Sequence, residues 1–135
     1  MTRDYCILLL EDEPLILMDL EYAAQQRGCD TLTASKPAVA KRLIDFCDGR
    51  IDVAVLDVDL GKDGDCFEVI SELKRSGIPF VLHSGSSSGN ENAIGEIDAP
   101  LIAKPASFAS VIDAALKRCA ALAEMVSEPP FQQAG

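Results

Sequence analysis

The 135-residue chain has little positive charge: 12 lysine and arginine residues stand against 22 aspartate and glutamate residues, for a formal net charge of -10. Because contacts to nucleic-acid phosphates need lysine and arginine, this balance argues against a general nucleic-acid binder. It also argues against docking onto an anionic membrane surface. We therefore expect neither a nucleic acid nor a membrane as a direct partner.

Histidine is nearly absent, and the cysteines form no metal-binding pattern. The lone His83 excludes a multi-histidine metal site, and we expect it to be a strand residue satisfied by a neighbour. The five cysteines are odd in number and no two have the C-x-x-C spacing. This disfavours a zinc site, a thioredoxin-like motif and a secreted disulfide framework. Free thiols in a reducing cytosol are the natural interpretation.

Long apolar stretches are also missing. The first apolar run, residues 6–10, is too short for a signal peptide and is cut off at once by acidic residues. Nothing in the chain approaches the roughly 18 to 20 apolar residues of a membrane span. These absences lead us to expect a cytoplasmic protein.

What is present is a regular alternation of apolar runs and helical patterns. The chain is 48% hydrophobic, which is a globular composition, and it has the length of one domain. Unbroken apolar runs are typical of strands buried on both faces. The predicted strands are 6–10, 30–34, 51–57, 78–83 and 100–103, and the predicted helices are about 14–27, 37–47, 65–77 and 108–122. This alternation predicts an α/β fold with a doubly wound, five-stranded parallel sheet.

Polar side chains follow four of the five predicted strands. In such sheets, ligands bind beyond the carboxyl ends of the strands. The residues at these ends are Glu11 and Asp12, Asp57 and Asp59, Ser84, and Lys104. We therefore expect them to gather at one edge of the sheet.

The carboxylates in this group predict a metal ion. Glu11, Asp12 and Asp57 would repel one another unless a cation lay between them, and oxygen ligands of this kind favour Mg²⁺. With Mg²⁺ bound, one carboxylate can attack a phosphoryl group, while a lysine and a hydroxyl hold its other oxygens. Asp57 is our choice of nucleophile, because it ends the central strand beside a loop that can admit a phosphodonor.

In this order, the residues resemble the receiver domain of two-component response regulators. The resemblance rests on the pair Glu11-Asp12, on Asp57 within Val-Leu-Asp-Val-Asp-Leu-Gly, on Ser84 before a glycine, and on Lys104 before a proline. It implies a flavodoxin-like (βα)5 receiver fold.

The resemblance implies a role for each of these residues. Asp57 would accept a phosphoryl group from a sensor histidine kinase or a histidine phosphotransfer protein. Ser84 would donate a hydrogen bond to that group, and Lys104 would pair with it. The implied Mg²⁺ ligands are Glu11, Asp12, Asp57 and the main-chain carbonyl near Asp59.

The resemblance covers roughly residues 4–122, so we expect a receiver domain over residues 1–124 and a disordered tail over 125–135. It implies a single-domain response regulator that contacts an unknown downstream protein, or that acts as a phosphate shuttle or sink. The partner surface would be formed by the family's fourth helix, fifth strand and fifth helix. We expect no enzyme activity beyond slow autophosphorylation and autodephosphorylation.

The chain departs from the family pattern at several positions. The family couples the hydroxyl to an aromatic side chain three residues before the lysine, but Leu101 occupies that position here. The residues expected to tune water access to the phosphoryl group are Asp59 and Ser86. The stretch 79–85 and the compact segment from Ser84 to Lys104 resemble a stand-alone receiver subgroup of alphaproteobacteria. That subgroup has a Phe-Ala-Thr-Gly motif at this strand end, from which Leu82, His83 and Ser84 depart.

Two alternatives stay open at this point. The segment around Asp57 and Asp59 also resembles the first motif of haloacid-dehalogenase-type phosphatases, although the acidic pair precedes the nucleophile here instead of following the lysine. A degenerate receiver used only as a docking module is the other alternative. Turnover of an added phosphomonoester would separate the phosphatase from a receiver.

Overall fold

The computed structural model describes residues 5–47, 49–57, 66–84, 101–103 and 107–127. Five strands and four helices lie within these ranges. In chain order they are β1 (Cys6–Leu10), α1 (Pro14–Gln26), β2 (Asp30–Ala34), α2 (Pro37–Cys47), β3 (Val53–Asp57), α3 (Cys66–Ser76), β4 (Phe80–Ser84), β5 (Leu101–Ala103) and α4 (Phe108–Ser127). Residues 90–97, too short and polar to predict a helix, are outside the described residues.

The strands form one parallel sheet in the order β2-β1-β3-β4-β5. Every residue of β1 and of β3 is buried, as expected for strands covered on both faces. The order places β1 and β3 side by side at the centre, with a change of winding direction at β1. The predicted doubly wound, five-stranded sheet is confirmed.

Two helices begin or end where the sequence supplies the right residue. Pro14 opens α1, where its fixed φ suits the first turn and its missing N–H is not needed. Gly28 follows α1 with a φ of 76°, and Gly77 follows α3 with a φ of 73°. Glycine adopts this left-handed conformation without steric cost, so it ends a helix and turns the chain toward the next strand.

The helices cover the sheet from both sides and create two separate apolar layers. On the face that we call the α2/α3 face, the even-numbered residues of β1, β3 and β4 pack among residues of α2 and α3, for example Leu56 beside Ile44 and Leu73. On the opposite α1/α4 face, the odd-numbered residues of the same strands pack among residues of α1 and α4, for example Val55 beside Leu20 and Ile112. This separation follows from the alternation of side chains along a strand.

Some boundaries differ from the prediction. The ladder of β3 starts at Val53, two residues later than predicted. Just before it, the Asp52 N–H donates to the Cys6 carbonyl oxygen at 2.8 Å, and the Asp52 carboxylate accepts the Cys6 N–H at 2.8 Å. Helix α4 continues to Ser127, past its predicted end at residue 122. The strong helix formers alanine, glutamate and methionine at residues 123–125 continue it beyond the last apolar position of the pattern, Leu122. In the described ranges, no helix is long and apolar enough to cross a membrane.

Candidate functional site

The carboxyl ends of β1 and β3 bring acidic residues together. Leu10 at the end of β1 pairs with Leu56 in β3, so Glu11 and Asp57, the next residue on each strand path, are neighbours. Asp57 is the last residue of β3. It continues the alternation of Val53 and Val55, which directs its side chain toward the α1/α4 face.

Three carboxylates form a compact acidic cluster at this edge. One carboxylate oxygen from each of Glu11, Asp12 and Asp57 lies within 4.8 Å of the others. Glu11 and Asp57 are only 1% and 2% exposed, whereas Asp12 is exposed. The cluster is therefore buried on its inner side and open to solvent at Asp12. Like charges at such distances repel one another unless a cation compensates them.

The main chain holds Glu11 in place from two sides. The Glu11 N–H donates to the Ala34 carbonyl oxygen at 3.1 Å, which extends the β1–β2 pairing by one residue. Its side-chain Oε2 accepts the Glu13 N–H at 3.1 Å, just before α1 begins. The carboxylate thus satisfies an N–H at the helix start that has no acceptor within the helix. The end of β2 and the start of α1 together position this member of the cluster.

Comparisons with known proteins were made by family, by sequence and by structure. No protein-family model matches the chain, and no curated protein matches it. Among solved structures, the response regulator receiver protein from Sinorhizobium medicae WSM419 is 25% identical with a TM-score of 0.76, over 88% of this chain and 97% of that chain. The receiver domain protein (CheY-like) from Methanospirillum hungatei JF-1 is 17% identical with a TM-score of 0.76, over 91% of this chain and 99% of that chain.

NtrX from Brucella abortus, crystallised with ATP, is 26% identical with a TM-score of 0.73, over 93% of this chain but only 29% of that larger chain. These matches agree with the fold of the chain. The chain has the fold of a response regulator receiver domain. The predicted resemblance is confirmed at this level, and the Phe-Ala-Thr-Gly subgroup stays a prediction.

The receiver fold brings together some of the predicted site residues. Glu11, Asp12 and Asp57 form the cluster described above. Ser84 is the last residue of β4, the strand that pairs directly with β3. Its main chain therefore lies at the same edge of the sheet as the acidic cluster. Leu101 opens β5 and pairs with Leu82. The side chains of Ser84 and Leu101 are outside the described part of the structure, as are Asp59, Ser86 and Lys104 altogether.

One further polar residue of the receiver fold lies beside the cluster. His83 pairs directly with Asp57 across β3 and β4 and is 2% exposed. The sequence correctly predicts that His83 is a strand residue, but it does not predict that His83 lies next to Asp57. The signal that could have found it is its position: it is the single polar residue among the apolar residues 78–83, immediately before Ser84.

Away from the cluster, an ion pair joins the two helices of the α1/α4 face. Arg27, which follows α1, donates from Nε to Asp113 Oδ1 of α4 at 2.6 Å and from a terminal nitrogen to Oδ2 at 3.3 Å. The hydrogen bond from Arg27 lowers the pKa of the Asp113 carboxyl from its ordinary value. This two-pronged contact joins the C-terminal end of α1 to α4.

Proposed function

We propose that the chain works as a response regulator in which Asp57 accepts a phosphoryl group from a histidine kinase or a histidine phosphotransfer protein. The observation that carries the proposal is the acidic cluster of Glu11, Asp12 and Asp57 at the carboxyl edge of a receiver fold. Among the three carboxylates, Asp57 is our choice of acceptor because it ends the central strand β3.

The residues of the cluster fit Mg²⁺. They offer oxygen donors only, and Mg²⁺ prefers one or two carboxylates together with waters and phosphate oxygens. Asp12, being exposed, leaves an open side through which waters and a phosphoryl group can enter. When bound, the ion would offset the negative charge of the cluster and of the phosphoryl oxygens. Glu11, Asp12, Asp57 and the main-chain carbonyl near Asp59 are the proposed ligands.

The transfer needs little more from the protein than position and charge. A carboxylate oxygen of Asp57 forms a bond to phosphorus as the phosphorus–nitrogen bond of the donor's phosphohistidine breaks, and the bonding electrons leave with the imidazole nitrogen. We assign Ser84 to donate a hydrogen bond to a phosphoryl oxygen, and Lys104 to pair with another. Each Asp57 takes up one phosphoryl group and releases it slowly, so the chain is a phosphoacceptor and not a turnover enzyme.

An exposed apolar stripe next to the cluster supports a protein as the donor. Leu15, Met18 and Tyr22 lie three and four residues apart on α1, and all three are exposed. The stripe starts four residues after Glu11, and a donor that reaches Asp57 must contact the surface around this edge. We therefore assign the stripe to the phosphodonor. Of the predicted output surface, the family's fifth strand and fifth helix correspond to β5 and α4 here, and residues 85–100 between β4 and β5 lie outside the described residues. The downstream protein is left unassigned.

The haloacid-dehalogenase-like alternative finds no support in the matched structures from Sinorhizobium medicae and Methanospirillum hungatei, which are described as receiver proteins. The compact acidic cluster favours an active receiver over a degenerate docking module. A phosphatase would hydrolyse an added phosphomonoester over many cycles, whereas we expect the chain to take up a single phosphoryl group.

The test is labelling by a small phosphodonor. With acetyl phosphate and Mg²⁺, intact-mass analysis should show one phosphoryl group on the wild-type chain and none on Asp57→Asn. Chelation of Mg²⁺ should abolish the labelling. Asp45→Asn is the matched control, because it removes an exposed carboxylate on α2, away from the cluster. Full labelling of Asp57→Asn would show that the acceptor is another residue.

A further inference from the structure

Two helices have apolar residues on their outer surface, and the proposed phosphodonor contacts only one of them. Leu15, Met18 and Tyr22 on α1, which we call the α1 stripe, are all exposed. On α2, Phe46 is 84% exposed, which makes it the most exposed large hydrophobic residue in the described ranges. Phe46 belongs neither to the acidic cluster nor to the α1 stripe. The surface around it is therefore a second candidate for protein contact.

Phe46 continues a row of apolar residues along α2. Val39, Leu43 and Phe46 are spaced four and three residues apart, so they lie on one side of the helix. Val39 and Leu43 are half-buried and pack against the core of the α2/α3 face. Lys41, on the other side of the helix, pairs with Glu68 of α3. The row, which we call the α2 stripe, therefore faces away from α3.

The α2 stripe lies among basic residues. Lys36, Arg42 and Arg50 are all exposed, and they occur before the start, in the middle and just beyond the end of α2. Residues 36–50 contain four basic and two acidic residues, so this segment has a net charge of +2 in a chain of -10. Among the described residues, neither Arg42 nor Arg50 has an ion-pair partner. Both charges are therefore available to a docking protein.

The α1 stripe has the opposite charge around it. Residues 11–26 contain five acidic residues and no lysine or arginine. Two of the acidic residues, Glu13 and Asp19, are exposed next to the stripe in sequence. The two stripes also match in length, because the first and last residue of each are seven positions apart, or about 10.5 Å of helix. The chain thus has two apolar rows of equal length with opposite charge around them.

One molecule cannot join its own two stripes. Helix α1 packs on the α1/α4 face and α2 on the α2/α3 face, so the sheet lies between them. A second copy of the chain, however, offers each stripe a partner of matching length and opposite charge. The net charge of -10 opposes association at long range, but at about 0.1 M salt charges more than about 10 Å apart are largely screened. Opposite charges at the contact itself still attract.

From these complementary surfaces we infer that the α2 stripe docks the α1 stripe of a second copy of the chain. The contact is heterologous, because it joins different surfaces of the two copies and leaves one stripe of each kind open. With three apolar residues on each side it belongs to the small, transient interfaces, so association should grow with protein concentration and be absent in dilute solution. A copy docked on the α1 stripe would exclude the phosphodonor assigned to that stripe.

The test is sedimentation velocity of the wild-type chain and of two variants over a range of protein concentrations. Met18→Glu places a charge in the α1 stripe and Phe46→Glu places one in the α2 stripe. Each should raise the dissociation constant about tenfold, as for the loss of one well-packed interface contact. An equimolar mixture should regain association, because the intact α2 stripe of one variant meets the intact α1 stripe of the other. The mixture should stop at a dimer, since both remaining stripes contain a glutamate.

Reversal of one charge beside the α2 stripe tests the electrostatic part. At about 0.1 M salt, Arg42→Glu should weaken the association about fivefold, and the difference from the wild type should shrink at about 1 M salt, where the Debye length is about 3 Å. Lys74→Glu is the matched control, because it makes the same change in net charge at an exposed position on α3, outside the α2 stripe. It should associate like the wild type.

Urea unfolding shows which variants are folded, and Met18→Gln or Phe46→Gln replaces a glutamate variant that is not. A wild-type chain that stays monomeric at every concentration would overturn the inference while leaving Asp57 as the proposed acceptor, because no phosphodonor is used. Association retained by either stripe variant, or lost in both without recovery in the mixture, would overturn it as well. Equal behaviour of Arg42→Glu and Lys74→Glu would also do so, since charge is what selects the α1 stripe as the occupant.

Discussion

Successive residues of the same strands alternate between the two faces of the sheet, yet the two faces differ in the kinds of residue that they bury. The buried residues of the α2/α3 face are apolar throughout the described ranges. The α1/α4 face has an equally apolar lower part, but Asp57 and His83 lie at its carboxyl edge. Each face also joins its two helices by an ion pair, Lys41–Glu68 on one and Arg27–Asp113 on the other. The α2/α3 face therefore contributes an apolar core, whereas the α1/α4 face contributes an apolar core and also the proposed phosphoacceptor Asp57.

The strongest test of this comparison uses Mg²⁺ and the exposed member of the cluster. If the cluster binds Mg²⁺, the ion at a hundred times its dissociation constant should raise the free energy of unfolding of the wild-type chain by about 2.7 kcal/mol. Asp12→Asn should lose much of that gain, because it removes a charged oxygen ligand. Without Mg²⁺ the same variant should be somewhat more stable than the wild type, since repulsion within the cluster is relieved.

Urea titrations with Mg²⁺ and with a chelator measure both effects. Asp45→Asn on α2 removes a carboxylate from the other side of the sheet and should keep the full response to Mg²⁺. A wild-type chain whose stability does not change with Mg²⁺ would show that the acidic cluster does not bind the ion.

A second test compares exposed apolar residues on the two sides. Met18 on α1 is 61% exposed and Phe46 on α2 is 84% exposed. Met18→Glu places a charge in the stripe assigned to the phosphodonor, so transfer from the histidine kinase that labels the wild-type chain fastest should slow by about tenfold, the loss expected when one well-packed interface contact is removed. Phe46→Glu should leave transfer unchanged.

Labelling by acetyl phosphate provides the control for this pair, because that donor needs no docking surface. Both variants should be labelled at the wild-type rate. If Phe46→Glu slowed transfer from the kinase more than Met18→Glu, the donor surface would be on the α2/α3 side instead.

The smallest expected effect concerns the ion pair that joins α1 and α4. The pKa of Asp113 is lowered in the folded chain by its hydrogen bond from Arg27, relative to an ordinary value of 3.8. A lowered carboxyl pKa contributes stability that is present above the ordinary value and is lost as the pH falls through the folded-state pKa. Because both side chains are substantially exposed, we expect a modest contribution.

Asp113→Asn should therefore be less stable than the wild type near neutral pH, and the difference should shrink under acidic conditions. Urea unfolding of both chains across this pH range measures it. A difference that stays constant with pH would mean that the substitution acts through packing or helix propensity and not through the charge of Asp113.

Much of the fold was predictable because its signals are local. The continuous apolar residues of β1 and β3 can only be covered on both faces, and a chain that alternates such runs with helices forms a parallel sheet. The acidic cluster was predictable for the same reason, since Glu11 and Asp57 each follow a predicted strand and parallel strands end at one edge. The end of α4 was not, because its last turns have helix-forming residues without an apolar period.

The features that the sequence did not predict depend on how residues far apart in the chain pack against one another. That His83 lies beside Asp57 follows from the register of β4 against β3, which no local pattern specifies. The exposed stripe of α1 was equally hidden, because Leu15, Ile16, Leu17 and Met18 are all apolar and only packing decides which of them contact the sheet. A position at a strand end therefore predicts reliably which edge of the sheet a residue occupies. It predicts less reliably which residues lie beside it at that edge.

The two hydrogen bonds of Glu11 give the molecule a pair of built-in reporters. The Glu11 amide donates to Ala34 and reports on the pairing of β1 with β2 at the edge of the sheet, whereas the Glu13 amide donates to the Glu11 carboxylate and reports on the acidic cluster itself. In an NMR spectrum, a ligand that draws this carboxylate away would shift the Glu13 amide resonance and speed its exchange with solvent. The Asp30 amide, which donates to the Tyr5 carbonyl oxygen at the opposite end of the β1–β2 pair, would serve as an internal reference. Occupancy of the site can thus be followed from the backbone, with no label attached to the site.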